Sequence, residues 1–427
     1  MCGDSFFGLI NASLSLQGAG IFDLKIKKDG PYTLGYRYSI GRRPIVRHLI
    51  DKRSMDKRCI MSLTTDTTGK TKSSINNSTG SGSRSRGSGA GRSGRLPALW
   101  KIILIIMPFA AALIALGIGR MQISPGEVLE VLRLRLAGAH ASSTLIEKTV
   151  MQLRLPRILL AALVGAGLSV SGCAFQSLFA NPLATPDTLG VASGASFGAA
   201  LGILMGFGLV GVQLTGLAMG GAAVTLTWLA GSGRGRDGLS YIVLSGIMIG
   251  SLFSALVSLI KYVADEESQL PAITYWLMGG LDKANYHTLS LGAPVIIAGI
   301  LLFSLIRWRM NLLPLTDDEA KASGVDIRLL RAVTIISATA VTASCVSMCG
   351  QVGWVGLLIP HMCRMIFGNN HLSLIPASIS LGAVFMIAVD TAARSISAAE
   401  IPVSILTAII GAPFFIMLMR RSGGWRV

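Results

Sequence analysis

The chain has 427 residues, 51% hydrophobic and only 14% charged, with a mean hydropathy of +0.61 and a formal net charge of +17. Soluble globular chains carry about 25% charged residues, so an ordinary cytosolic enzyme, a wholly disordered chain and a secreted disulfide scaffold are all excluded. The charge is uneven: residues 1–100 hold 17 Lys and Arg against 6 Asp, whereas residues 101–427 hold 21 against 15 acids. A basic head thus precedes a long apolar body, and nucleic acid is not an expected partner. The six cysteines (Cys2, Cys59, Cys173, Cys345, Cys349, Cys363) are scattered, with no metal or disulfide spacing.

Residues 1–97 read as an N-terminal extension, largely disordered. Its Ser/Thr/Gly/Arg-rich stretch at 62–96 has no apolar periodicity, and so too little apolar surface to offset the entropy of ordering. Gly69-Lys70-Thr71 imitates the end of a phosphate loop, but Thr64 stands where that motif needs glycine. Residues 1–60 lack the layout of a signal peptide. Met61 is the expected translation start, the other reading being a variable cytoplasmic tail.

From Lys101 the composition changes to that of a membrane domain, residues 98–427. Apolar runs predict spans at Lys101–Gly119, Ile158–Phe179, Leu189–Phe207, Leu209–Ala230, Leu239–Val263, Leu289–Ile306, Leu329–Met348, Val352–Phe367, Leu372–Ile396 and Pro402–Met419. The fold class is therefore all-α, a polytopic bundle of about ten transmembrane helices. The third run carries Gly190, Gly194, Gly198, Gly202 and Gly206 at every fourth position, the small-residue spacing of close helix packing.

The Lys/Arg distribution places both termini in the cytoplasm, together with the links holding Arg234/Arg236 and Arg307 to Arg328. Residues 120–157 fall outside yet hold six basic residues, among them Arg154 and Arg157. Positive charge on that side fits an acidic partner better than headgroup snorkelling, which accounts for single arginines.

The link between the sixth and seventh spans holds Thr316, Asp317, Asp318, Glu319, Ala320, Lys321, Ala322, Ser323 and Gly324. Thr316 with Glu319 reads as a capping box, Gly324 as a helix stop and Asp326 as the cap of the next helix. A short capped helix on the inner membrane face fits a docking surface.

This link, together with Gly350-Gln351-Val352-Gly353-Trp354-Val355-Gly356 and the following Ile359-Pro360-His361, resembles the FecCD-type permeases. These are membrane subunits of ABC importers for iron–siderophore complexes, haem and cobalamin. The resemblance continues in Arg154-Leu155-Pro156-Arg157, Asn181-Pro182-Leu183-Ala184, Trp276-Leu277-Met278-Gly279-Gly280, Asp390-Thr391-Ala392-Ala393-Arg394, Ile401-Pro402-Val403 and Gly411-Ala412-Pro413-Phe414. It covers roughly residues 100–422. Trp354 stands where the family usually has Phe, and Asn369-Asn370-His371 replaces a more acidic turn.

The resemblance implies a transport subunit with no catalytic residue, no bound metal and no cofactor. ATP and Mg would be held by two separate ABC ATPase subunits, with Thr316–Gly324 as the helix seated in them. A second permease copy or close homologue would complete the path. An extracytoplasmic binding protein would dock on Arg154, Arg157 and Arg394, and the cargo would be an iron–siderophore or similar chelate, with cobalamin, haem or an oxyanion as alternatives.

Several residues carry plainer expectations. Asp390 and Arg394 are spaced for an intrahelical pair. His361 reads as hydrogen-bonded between helices, Cys345 and Cys349 as packing, and Pro413 as a kink. An ion-coupled secondary transporter would need buried carboxylates near mid-membrane, and the spans hold essentially Asp390 alone.

Overall fold

The computed structural model describes residues 33–40, 43–51 and 96–427, except 139–143, 232–237, 316–318, 320–321, 398–399 and 422–427. It divides into two units, Met1–Gly87 and Ser88–Val427. In the first, β1 (Thr33–Ile40) and β2 (Arg43–Asp51) pair antiparallel, with Thr33 opposite Asp51 and Ile40 opposite Arg43. The extension, read as largely disordered, thus holds one strand pair. The stretch at 62–95 and the proposed start at Met61 lie outside the described residues.

The second unit is helical throughout its described elements, as the apolar runs predict. Helix α1 (Ala98–Gly117) is followed by α2 (Pro125–Leu136), α3 (Thr144–Lys148), a π-helical turn (Thr149–Arg154) and α4 (Leu155–Leu178). A 3-10 turn (Pro186–Leu189) leads into α5 (Val191–Leu204), then α6 (Leu209–Gly231), α7 (Gly238–Val263) and α8 (Gln269–Leu277). Next come α9 (Tyr286–Ile306), a 3-10 turn (Arg309–Leu312), α10 (Ile327–Cys349), α11 (Val355–Phe367), α12 (His371–Ile396) and α13 (Val403–Arg421).

Among the described residues seven helices are long and apolar enough to cross a membrane: α1, α4 with its lead-in, α6, α7, α9, α10 and α12. The other three expected runs, in α5, α11 and α13, form shorter apolar helices. At 14 and 13 residues, α5 and α11 rise only about 20 Å, short of a hydrocarbon core of about 30 Å. Backbone breaks shorten them. Gly190, at φ +72°, lies between the Pro186 turn and α5, while Gly206, also at φ +72°, follows its end. Trp354, at φ +69°, begins α11 after a non-helical stretch. Such breaks are tolerated inside a membrane where protein covers them, and here Pro186 packs against Gly356.

Helix α4 is the central element, buried along almost its whole length and packed on α9, α10, α11 and α12. Small residues make that possible: a side chain at Gly165 would collide with Gly382 of α12, and one at Gly172 with Gly356 of α11. The glycine ladder is only partly a packing stripe. Gly194, Gly198 and Gly202 receive α6 at Met219, Thr215 and Val212, and Gly190 approaches Gly246 and Gly250 of α7. Gly206 meets nothing and serves the turn instead.

Three short helices, α2, α3 and α8, lie outside the expected spans. α2 begins with a reciprocal capping box, Ser124 Oγ accepting from the Glu127 amide and Glu127 from the Ser124 amide at 2.8 Å. The Ser124 hydroxyl, which also donates to Glu127 Oε2 at 2.8 Å, and after it the Ser124 amide hold the Glu127 carboxyl below the usual range. Before α8, the hydroxyl and amide of Ser268 do the same to Asp265.

Candidate functional sites at the two ends of the bundle

Helix α9 runs from one end of the bundle, where Tyr286 Oη donates to the Met151 carbonyl at 2.6 Å, to the link that precedes α10. Helix α10 returns antiparallel, since Gly292 meets Met348 and Gly299 meets Val341. The arginine-bearing segments and the α9–α10 link therefore occupy opposite ends.

At the arginine end, Arg154 closes the π-helical turn ahead of α4, and Arg394 lies in the last turn of α12. Both are buried and both reach the carbonyl end of α1. Arg154 Nη1 donates to the Leu116 carbonyl at 2.5 Å and Nη2 to the Met121 carbonyl, while Arg394 Nη2 donates to the Ala115 carbonyl. The last four carbonyls of a helix lack intrahelical partners and carry its negative dipole end, so the two guanidinium groups satisfy two of them, Ala115 and Leu116, and meet that dipole end with positive charge. Gly119 leaves the room: a side chain there would stand 2.7 Å from Arg154 Nη2 and 3.2 Å from Arg394 Nη1.

Arg157 works differently. Its Nε donates to Asp390 Oδ1 and its Nη1 to Glu400 Oε2, each at 2.8 Å, which ties α4 to α12 and to the segment before α13. The expected Asp390–Arg394 pair is present at 3.8 Å, so Arg157 and not Arg394 is the close partner of Asp390. Together Arg120, Arg154, Arg157, Arg394, Asp282 and Glu400 line a pit of about 300 Å³. The three arginines expected to receive a binding protein thus line this pit, and each also bonds to the protein itself.

At the link end, only Glu319, Ala322, Ser323 and Gly324 of the segment 316–324 are described, all exposed. Thr316, Asp317, Asp318, Ala320 and Lys321, and with them the expected capping box, lie outside the described residues. The cap on the next helix is present: Asp326 Oδ1 accepts from the amides of Arg328 and Leu329 at 2.9 and 3.2 Å. Gly324 has φ +71°, as a helix stop requires.

A buried tie anchors this end. Asn311 Oδ1 accepts from the His371 amide at 3.0 Å and stands 2.9 Å from His371 Nδ1, while His371 Nε2 lies 2.5 Å from Ser177 Oγ. The turn after α9 is thereby bonded to the start of α12 and the end of α4. None of the three was among the expected site residues, although the unusual Asn369-Asn370-His371 turn marked the place.

The remaining expectations divide. Cys345 and Cys349 are buried, with Cys349 Sγ donating to the Cys345 carbonyl at 3.0 Å. His361 is not hydrogen-bonded between helices. Neither ring nitrogen has a partner among the described residues, and the ring packs edge-on to Phe415, 5.7 Å between centroids. No cluster of three His, Cys, Asp or Glu able to hold a metal occurs among the described residues.

Residues 104–421 match the FecCD transport family. The chain is 42% identical over 319 residues to a molybdate import system permease protein of Haemophilus influenzae, covering 74% of this chain and 94% of the relative. It is 37% identical over 278 residues to an iron chelatin transport system permease protein of Helicobacter pylori, covering 64% and 83% respectively. Among solved structures it resembles an inward-facing metal-chelate type ABC transporter, with a TM-score of 0.69, 39% identity, 76% of this chain and 100% of that chain covered. The chain belongs to the FecCD transport family, as a permease of the ABC importer kind and not an enzyme.

Proposed function

We propose that this permease takes its cargo from an extracytoplasmic binding protein at the arginine end and answers two cytoplasmic ATPase subunits at the link end. Both termini are then cytoplasmic, a second copy or close homologue completes the path, and ATP and Mg belong to the ATPases. One observation carries the reading: the Asn311–His371–Ser177 tie joins the link to α12 and α4. A push on Thr316–Gly324 then reaches the central helices as a rigid displacement, the kind of two-state motion alternating access needs.

At the arginine end, the binding protein meets a pit whose cations already have partners. An acidic side chain entering it competes with Glu400 for Arg157, so docking exchanges one carboxylate for another. This limits affinity and favours release.

For the cargo, the 42% identity across 94% of a molybdate permease supports a metal oxyanion. The second reading, a ferric chelate, is supported by 37% identity across 83% of an iron chelatin permease. Uptake into vesicles by the complete complex distinguishes them: labelled molybdate accumulates with ATP if the first holds, and a ferric siderophore does so if the second holds. Accumulation of neither overturns both.

A further inference from the structure

A groove of about 890 Å³ runs between α1 and α12 at the link end, lined by Leu104, Ile105 and Phe109 on one side and Leu372 and Ile379 on the other. Its size is that of a small-molecule site. Two prolines line it as well, Pro108 of α1 and Pro376 of α12. Proline cannot donate to the carbonyl four residues back and pushes the preceding turn aside, so neither wall of the groove is a regular helix face.

The mouth of the groove is cationic. Lys101, one turn into α1, and Arg307, just beyond α9, both line it, with Trp308 beside them. Neither Lys101 nor Arg307 has an ion-pair partner among the described residues. Deeper in, the Ser380 hydroxyl lines the groove without a hydrogen-bond partner. An apolar trough two turns deep, opening between two unpaired cations and a tryptophan at a membrane boundary, has the chemistry of a lipid and not of a soluble ligand.

We propose that this groove holds one anionic phospholipid, its phosphate between Lys101 and Arg307 and an acyl chain along Leu104, Ile105, Phe109 and Ile379. A zwitterionic lipid brings its own ammonium against two cations. A second copy of this chain seated here would bury both cations without counter-charge, a costly arrangement. The anionic lipid satisfies the apolar wall and the charges together, and it wedges α1 against α12 close to His371.

The test uses the full chain in nanodiscs of mixed phosphatidylcholine and phosphatidylglycerol, exchanged into detergent, with retained lipid counted per chain. The native chain retains phosphatidylglycerol over phosphatidylcholine by on the order of tenfold, as expected for two cations near a lipid phosphate. K101Q/R307Q loses that preference, K101R/R307K keeps it, and I105W, which fills the trough, loses retention of both lipids. A preference unchanged in K101Q/R307Q overturns the proposal. So does efficient cross-linking of two copies through I105C, which would make the second copy the occupant. Unchanged thermal melting and elution of each variant separate lipid loss from misfolding.

Discussion

The two ends of the bundle treat charge in opposite ways. At the arginine end the guanidinium groups turn inward: Arg154 and Arg394 finish helix α1, and Arg157 bridges two carboxylates. At the link end the described polar residues Glu319, Ser323 and Asp326 are exposed, and the tie beneath them uses neutral Asn311 and Ser177 around His371. A charge that already holds helices together reaches a partner only by exchange with the group that binds it. The arginine end is thus foremost a scaffold with a pit in it, whereas the link end is a presented surface on a stiff base.

The sharpest way to break this contrast is Asp390→Ala. It removes the buried carboxylate that Arg157 and Arg394 share, leaving Arg157 only Glu400 and Arg394 only the Ala115 carbonyl, and removing one member of a buried pair costs about 3–5 kcal/mol. Thermal unfolding in detergent checks it. A surface role for the arginines predicts no such loss. Arg394→Ala follows, leaving the Ala115 carbonyl without its donor, at about 1–3 kcal/mol by the same measurement. Arg154→Ala acts on the same carbonyl end and does not add simply to it, because the two guanidinium groups share the space above Gly119.

His371→Ala sharpens the other half. Its stability cost is about 1–3 kcal/mol, for the polar partners left at Asn311 and Ser177. Its functional cost is larger, because ATP hydrolysis by the assembled complex continues while uptake falls. Equal uptake per ATP in the variant and the native complex would remove the tie from the transmission path. The smallest effect concerns α2. The folded-state pKa of Glu127 is lowered, so its stabilisation is complete above the unfolded carboxylate value of about 4.3 and is lost as pH falls through the lower folded value. Amide exchange at Val128 should quicken below that range, and Glu127→Gln should flatten the change.

Much of the fold was legible because membrane helices declare themselves by composition. All ten apolar runs contain helices, and the link between α9 and α10 lies at the end of the bundle where its polarity puts it. What hydropathy could not reveal was length at depth. Pro186, Gly190 and Trp354 interrupt backbone inside apolar stretches, so α5 and α11 are shorter than the runs that contain them. Helices α2 and α8 were missed because they are short and mixed in composition, α2 resting on its capping box and both on few buried residues such as Val128, Val131 and Ile273.

The direction of the arginines was hidden for a different reason. A count of basic residues locates charge along the chain, yet the acceptors of Arg154 lie 38 and 33 positions away and that of Arg394 lies 279 away, on the carbonyl end of α1 or, for Met121, just beyond it. Glu400 gave a fainter signal, as an acid set directly before Ile401-Pro402 near the end of α12. Such pairings come from tertiary packing, which periodicity does not encode. His361 illustrates the converse: a polar type in a span, read as hydrogen-bonded, is held by packing against Phe415.

The central claim is that the link end, and not the arginine end, transmits the work of ATP. Replacing residues 316–324 with a Gly/Ser segment of equal length, in the complex with its ATPases and binding protein, tests it directly. The account predicts a properly folded permease that no longer supports uptake or stimulated ATP hydrolysis. Retention of both activities at native levels would contradict it.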